Sequence, residues 1–268
     1  MESFNARLQE QIQRTRSHLC VGLDLSPEQL NLPAPDLNDL KEHTFKVIDA
    51  TEDLTAVYKP NLAFFERWGA AGFEWLEQVL TRIGSGPLII GDAKRGDIGN
   101  TARQYAASLF DHFGFDAVTV NPYMGRDAIE PFLDRPEKGV FILCRTSNPS
   151  AVELQDISSE GKPLFIRVAE LALELNRNKN VGLVVGATAP QEIGMVRSAA
   201  PGLPFLIPGI GAQGGDLESS FTAGNTNGLA VINVSRGISF AGDLSAVAIR
   251  AEAEGYVRLM RKYAENIN

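Results

Sequence analysis

Eight short apolar runs, each followed by a stretch with helical spacing, restrict this chain more than any other feature. The runs occupy residues 19–25, 56–61, 88–90, 117–122, 140–146, 181–187, 205–210 and 229–236. Most are apolar at successive positions, without the alternation of a half-solvated strand, so they read as strands buried on both faces. Between them apolar residues recur at helical intervals: Leu164 is followed by Val168, Leu171, Ala172 and Leu175 on one face. Strands alternating with helices form parallel sheets, and eight repeats predict closure into a barrel. The expected fold is α/β, a single (β/α)8 TIM barrel over residues 1–268, close to the ~250 residues usual for that architecture. Phe4, Leu8 and Ile12 recur every four residues and predict an extra N-terminal helix laid on the body. An open doubly wound sheet is the alternative, but no Gly-x-Gly-x-x-Gly follows the first run.

Charge narrows the partners. Lys plus Arg number 25 against 33 Asp plus Glu, a formal charge of −8, which argues against nucleic-acid and membrane-surface partners. An anionic ligand would then need local cations. The first 18 residues lack the apolar core of a signal peptide, and no run reaches the ~20 apolar residues of a membrane-spanning helix. A cytoplasmic enzyme-like protein is expected. Cys20 and Cys144 sit in strand-like runs and read as reduced core residues. His18, His43 and His112 show no metal-ligand spacing and fall on expected helix surfaces or strand starts. No metal site is expected from them.

The third run leads into Asp92, Lys94 and Asp97, which crowd three ionisable groups at the end of a buried strand. On extended backbone Asp92 and Lys94 leave the same face. Gly96 breaks the strand, and Asp97 stands where a helix would begin. Buried charges are costly unless paired, so a structural salt bridge with Asp97 as helix cap is the plain reading. The other strand ends change that balance. They supply Asp24, Lys59, Asn121, Ser147, Gln213 and Arg236, and barrels of this type build their active sites at the carboxyl ends of the strands. Residues 208–216 are glycine-rich, so backbone N–H groups can approach an anion. Ser235-Arg236-Gly237 adds a guanidinium beside them, and loops seven and eight are where such barrels commonly hold phosphate. Residues 147–161 form a polar stretch long enough to be a functional loop.

The stretch 89–101 reads apolar-apolar-x-Asp-x-Lys-x-x-Asp-Ile-small-x-Thr. It resembles the signature of the orotidine 5′-phosphate decarboxylases, and the resemblance extends over nearly the whole chain. It implies a homodimeric barrel without cofactor that makes UMP and CO2 from orotidine 5′-phosphate. By the resemblance, Lys59, Asp92, Lys94 and Asp97 are the catalytic tetrad. Asp24 holds ribose, Lys59 bridges ribose and Asp92, Asp92 faces the substrate carboxylate, and Lys94 gives a proton to C6. Asp97 and Thr101 reach into the neighbouring subunit's site. Ser147 meets the pyrimidine edge, Gln213 and Arg236 hold phosphate, and Asn121 and Ser235 belong to the substrate-binding set. Pro60-Asn61-Leu62 after Lys59 and the long loop after Ser147 resemble a divergent bacterial subgroup. Two other readings stand beside this one. A Mg-dependent sugar-phosphate aldolase or decarboxylase would want an acid near the end of strand two, where Lys59 is a poor ligand for a hard cation. A non-catalytic nucleotide-phosphate barrel would need the phosphate loop but not the four charges.

Overall fold

The computed structural model describes residues 2–187, 190–211 and 215–267. The apolar runs become β1 (Leu19–Leu23), β2 (Val57–Pro60), β3 (Leu88–Arg95), β4 (Ala117–Val120), β5 (Gly139–Arg145), β6 (Val181–Val185), β7 (Phe205–Pro208) and β8 (Ala230–Val234). They close into one barrel in which every strand lies parallel between its sequence neighbours, with β1 pairing β8. Helices between the strands cover the outside, as a parallel sheet requires.

Side-chain parity divides the core in two. Leu19, Val21 and Leu23 face the helices, whereas Cys20, Val57, Ile90, Phe141, Val184, Leu206 and Val231 fill the barrel interior. That parity decides the site: two residues beyond an interior Cys20, Val57 and Ile90 stand Gly22, Lys59 and Asp92. At the opposite end the N-terminal helix Phe4–Thr15 plugs the barrel. Phe4, Leu8 and Ile12 join the interior cluster, and Phe4 meets Phe141 edge-on at 5.9 Å between ring centroids. The helix therefore closes the bottom of the barrel, and the mouth at the carboxyl ends of the strands stays open.

Four local expectations change. The helical stretch after β2 splits into Leu62–Glu66 and Gly69–Ile83, with Gly69 at φ 58 and the backbone of Phe65 packed where a side chain on Gly72 would stand. Asp97 does not cap the next helix: Ile98 occupies that position, and Gly99–Ala107 continues into a wider π turn over Ser108–His112. Residues 147–161 hold a short helix, Val152–Gln155, and one strand of a hairpin pairing Ser158–Ser159 with Lys162–Pro163. His43 is buried, its Nε2 2.6 Å from the Ser239 carbonyl, and is no helix-surface residue. Cys20 and Cys144 are buried free thiols.

Candidate functional site

The site begins with an irregularity in β3. Gly91 pairs with Val118, yet Arg95 pairs with Val120, so four steps along β3 match two along β4. Lys94 absorbs the difference at φ 48, a left-handed backbone unusual for a residue with a side chain. Asp92 and Lys94 do converge, but through this bulge and not through simple strand alternation. The Lys94 N–H, turned out of the sheet ladder, donates to Thr119 Oγ1 at 2.9 Å.

Around Asp92 the charges alternate. Its Oδ1 accepts from Lys94 Nζ at 2.6 Å and from the Thr119 hydroxyl at 2.9 Å, while its Oδ2 accepts from Lys59 Nζ at 2.9 Å. Lys59 also stands 3.5 Å from Asp24 Oδ1. Burial alone would raise the Asp92 carboxyl, but the two ammoniums outweigh it and hold it well below the usual carboxylate range. Burial likewise pulls the Lys59 ammonium down, and Asp24 and Asp92 more than reverse it. Both groups stay charged at neutral pH. Lys59 is almost wholly enclosed, whereas 49% of the Lys94 side chain is accessible, from the cavity side. An ammonium with a carboxylate at its back and open space in front can give up a proton to a bound molecule.

A second chain of hydrogen bonds sets Asp24. The Cys20 thiol, pushed up to about 12 by burial and so protonated, donates to Asn233 Oδ1 at 3.5 Å. Asn233 Nδ2 donates to Ser235 Oγ at 3.2 Å, and Ser235 Oγ donates to Asp24 Oδ2 at 2.7 Å. Asp24 Oδ1 is buried and accepts no hydrogen bond from any described residue. The Lys59 ammonium stands against it, and Asp24 as a residue borders the cavity.

The cavity these groups enter holds about 460 Å³. Leu143, Val184 and Leu206 give it an apolar floor, the charged row one wall, and Thr146, Ser147 and Asn148 another. Gly209 and Arg236, which follow β7 and β8, also line it. Gly209 and Gly211 both have positive φ, which lets the backbone turn closely there. Arg236 opens a one-turn helix, Arg236–Ser239, and makes no ion pair with any described residue.

Seven of the residues singled out in the sequence thus meet around one cavity: Asp24, Lys59, Asp92, Lys94, Ser147, Ser235 and Arg236. Asp97 does not join them; its carboxylate accepts from the Ile98 N–H at 2.8 Å and pairs with no described cation. Thr101 is exposed on the helix Gly99–Ala107. Asn121 is exposed too, its Oδ1 accepting from the Tyr123 N–H at 3.0 Å, which is the turn role. Gln213 lies outside the described residues. Thr119 and Asn233 were missed, although each is a polar residue inside an otherwise apolar strand, which is the signal that marks them.

Comparison with known proteins decides the family. The profile described as Orotidine 5′-phosphate decarboxylase / HUMPS family matches residues 17–251. This chain belongs to that family. The orotidine 5′-phosphate decarboxylase of Halorubrum lacusprofundi is 50% identical, over 91% of this chain and 90% of its own. That of Herpetosiphon aurantiacus is 45% identical over 94% of each. Among solved structures, Leishmania donovani OMP decarboxylase superposes with a TM-score of 0.85 at 41% identity, covering 97% of this chain and 99% of its own. Within the decarboxylase fold the Pro60-Asn61-Leu62 segment has a local reason. Asn61 bridges to Asp92 across β2 and β3, and its Oδ1 caps the following helix at Ala63 N, 3.3 Å away. The segment carries the sheet up to the level of the charged row. Among the described residues no cluster of His, Cys, Asp or Glu is arranged to hold a metal ion, and no helix is long and apolar enough to cross a membrane.

Proposed function

We propose that this chain decarboxylates orotidine 5′-phosphate to UMP and CO2, the last step of UMP synthesis, using protein charges alone. The observation that carries the reading is the alternating row Lys59-Asp92-Lys94, buried at its centre and open to the cavity at Lys94. The phosphate is held by Arg236 with backbone N–H groups near Gly209, and the ribose hydroxyls by Asp24 Oδ1 and Lys59. Ser147 meets the pyrimidine edge.

The substrate carboxylate then lies against Asp92. When the bond from C6 to the carboxylate breaks, its electron pair stays on C6 and CO2 departs. The Lys94 ammonium, already in place, stabilises that charge and delivers its proton to C6. Because the donors are fixed before substrate arrives, little reorganisation accompanies the charge shift. Phosphate binding far from C6 supplies orientation.

The reading includes a cytoplasmic homodimer. Asp97 is not among the residues that line its own cavity, and Ile98 beside it is an exposed large apolar side chain of the kind that partners cover, as are Tyr123 and Met124 after β4. A two-fold contact there would bring Asp97 and Thr101 of each copy to the other's site.

The direct test is the ultraviolet absorbance of orotidine monophosphate mixed with purified protein. A decay to the UMP spectrum is expected, at the same rate in excess chelator, since both Asp92 oxygens already carry donors. A static spectrum sinks the reading, and turnover that needs added Mg2+ replaces it with a metal-dependent one.

A further inference from the structure

The Thr119 hydroxyl stands between the two parts of the charged row that must keep a fixed relation. It is 1% exposed, on β4, in the layer of Asp92, and it borders the cavity. Its two hydrogen bonds have only one possible direction. The Lys94 N–H can only donate, so it uses an Oγ1 lone pair. Ionised Asp92 can only accept, so the hydroxyl proton goes to Asp92 Oδ1. No other described side chain hydrogen-bonds both to the backbone of Lys94 and to the carboxylate of Asp92.

Each bond restrains something that would otherwise relax. The bond from Lys94 N–H takes up a donor that the bulge has removed from the sheet, and it fixes Lys94 at φ 48. The bond to Oδ1 sets the plane of the Asp92 carboxylate, with Lys94 Nζ 2.6 Å from that same oxygen. Lys59 on Oδ2 leaves rotation about the bond to the carboxyl group incompletely restrained. Ala117, Val118 and Val120 on the same strand are apolar, so only this position brings a hydroxyl to the row.

We propose that Thr119 is a positioning residue for the decarboxylation: it holds the strained Lys94 backbone and the Asp92 carboxylate in the one geometry that aims the ammonium at C6. The inference rests on the decarboxylase reading given above. Thr119 makes no contact with substrate in this account, so ground-state binding, set by Arg236 and Asp24, does not depend on it. Loss of the hydroxyl should misplace the proton donor by a fraction of an ångström, a kind of error that costs rate and not affinity.

The test compares full-length wild type with Thr119→Val, Thr119→Ala and Thr119→Ser, measuring kcat, KM, UMP affinity and melting temperature. Valine keeps the shape and removes the hydroxyl. Serine keeps the hydroxyl and removes the methyl. The expected result is a kcat lowered about tenfold or more in Val and Ala, KM and UMP affinity within about threefold of wild type, and kcat recovered in Ser. A folded Val or Ala variant with normal kcat overturns the proposal. So does a kcat that falls together with UMP affinity, or a Ser variant no better than Ala, because either would make the role one of packing. If neither Val nor Ala folds, Thr119 is a folding residue and the proposal is likewise overturned. Wild type that does not decarboxylate at all would instead defeat the reading of function on which it rests.

Discussion

Gly22 and Ser235 face each other across the β1–β8 seam with no room for a further atom: a Cβ on Gly22 would stand 2.0 Å from Ser235 Oγ. The glycine is the gap through which Ser235 reaches Asp24 Oδ2. Gly22→Ala should therefore displace the Ser235 hydroxyl and release Asp24. The expected cost is about 1–3 kcal/mol of stability from overpacking, with KM for the nucleotide raised about tenfold as the ribose acceptor loses its orientation. Adding Ser235→Gly should recover the melting temperature but not KM. Recovery of both, measured by calorimetry and steady-state kinetics, would show that the Ser235–Asp24 bond does not matter to binding.

Arg236 has no ionic partner among the described residues and borders the cavity. Arg236→Ala should weaken UMP binding by about a hundredfold, within the range for a charge-assisted hydrogen-bonded anion site. Uridine, without the phosphate, should bind nearly as before. Equal losses for UMP and uridine in titration calorimetry would place the phosphate elsewhere.

The strand framework and the charged wall were legible because burial on both faces leaves unbroken apolar runs, and a charge at the end of such a run has few other reasons to be there. Asp24, Lys59, Asp92 and Lys94 all follow that rule. The position just past the end of a run was less informative. Asn121 and Thr119 share strand parity, but β4 ends at Val120 and the chain turns, leaving Asn121 to hold the turn while Thr119 sits one layer deeper. The bulge in β3 left no mark either, since a left-handed lysine looks like any other in sequence. His43 illustrates a different blindness: its helix supplies a polar residue to an inner face because the Ser239 carbonyl, distant in sequence, waits there. Asp97 and Thr101 follow Gly96 on the way into the next helix, past the strand face that carries Asp92 and Lys94, so strand parity says nothing of where they point.

The charged row also predicts a pH dependence of stability. The Asp92 carboxyl is held below its usual range in the folded chain, so its unfolded form binds a proton first as pH falls. The stability it contributes is fully present above its unfolded value of ~3.9 and is lost as pH drops toward the lower folded value. Asp92→Asn has no such titration. The melting-temperature difference, wild type minus variant, should be constant from about pH 6 to 8 and should decline below about pH 4. A difference that grows in acid would mean that Asp92 is protonated in the folded protein, contrary to its place between two ammoniums.

Asp97 gives the sharpest test of the dimer. It follows Gly96, lies outside its own cavity and pairs with no described cation, whereas Lys94 belongs to the cavity of its own chain. If two-fold partners exchange Asp97, damage to the two residues falls in different sites. Lys94→Ala and Asp97→Ala homodimers should each be inactive. In a heterodimer of the two, one site carries both lesions and the other carries neither. Random exchange makes half of all dimers mixed, so about a quarter of all sites should regain full activity. If labelled subunits confirm exchange and activity stays at the level of the unmixed variants, Asp97 does not act in its neighbour's site.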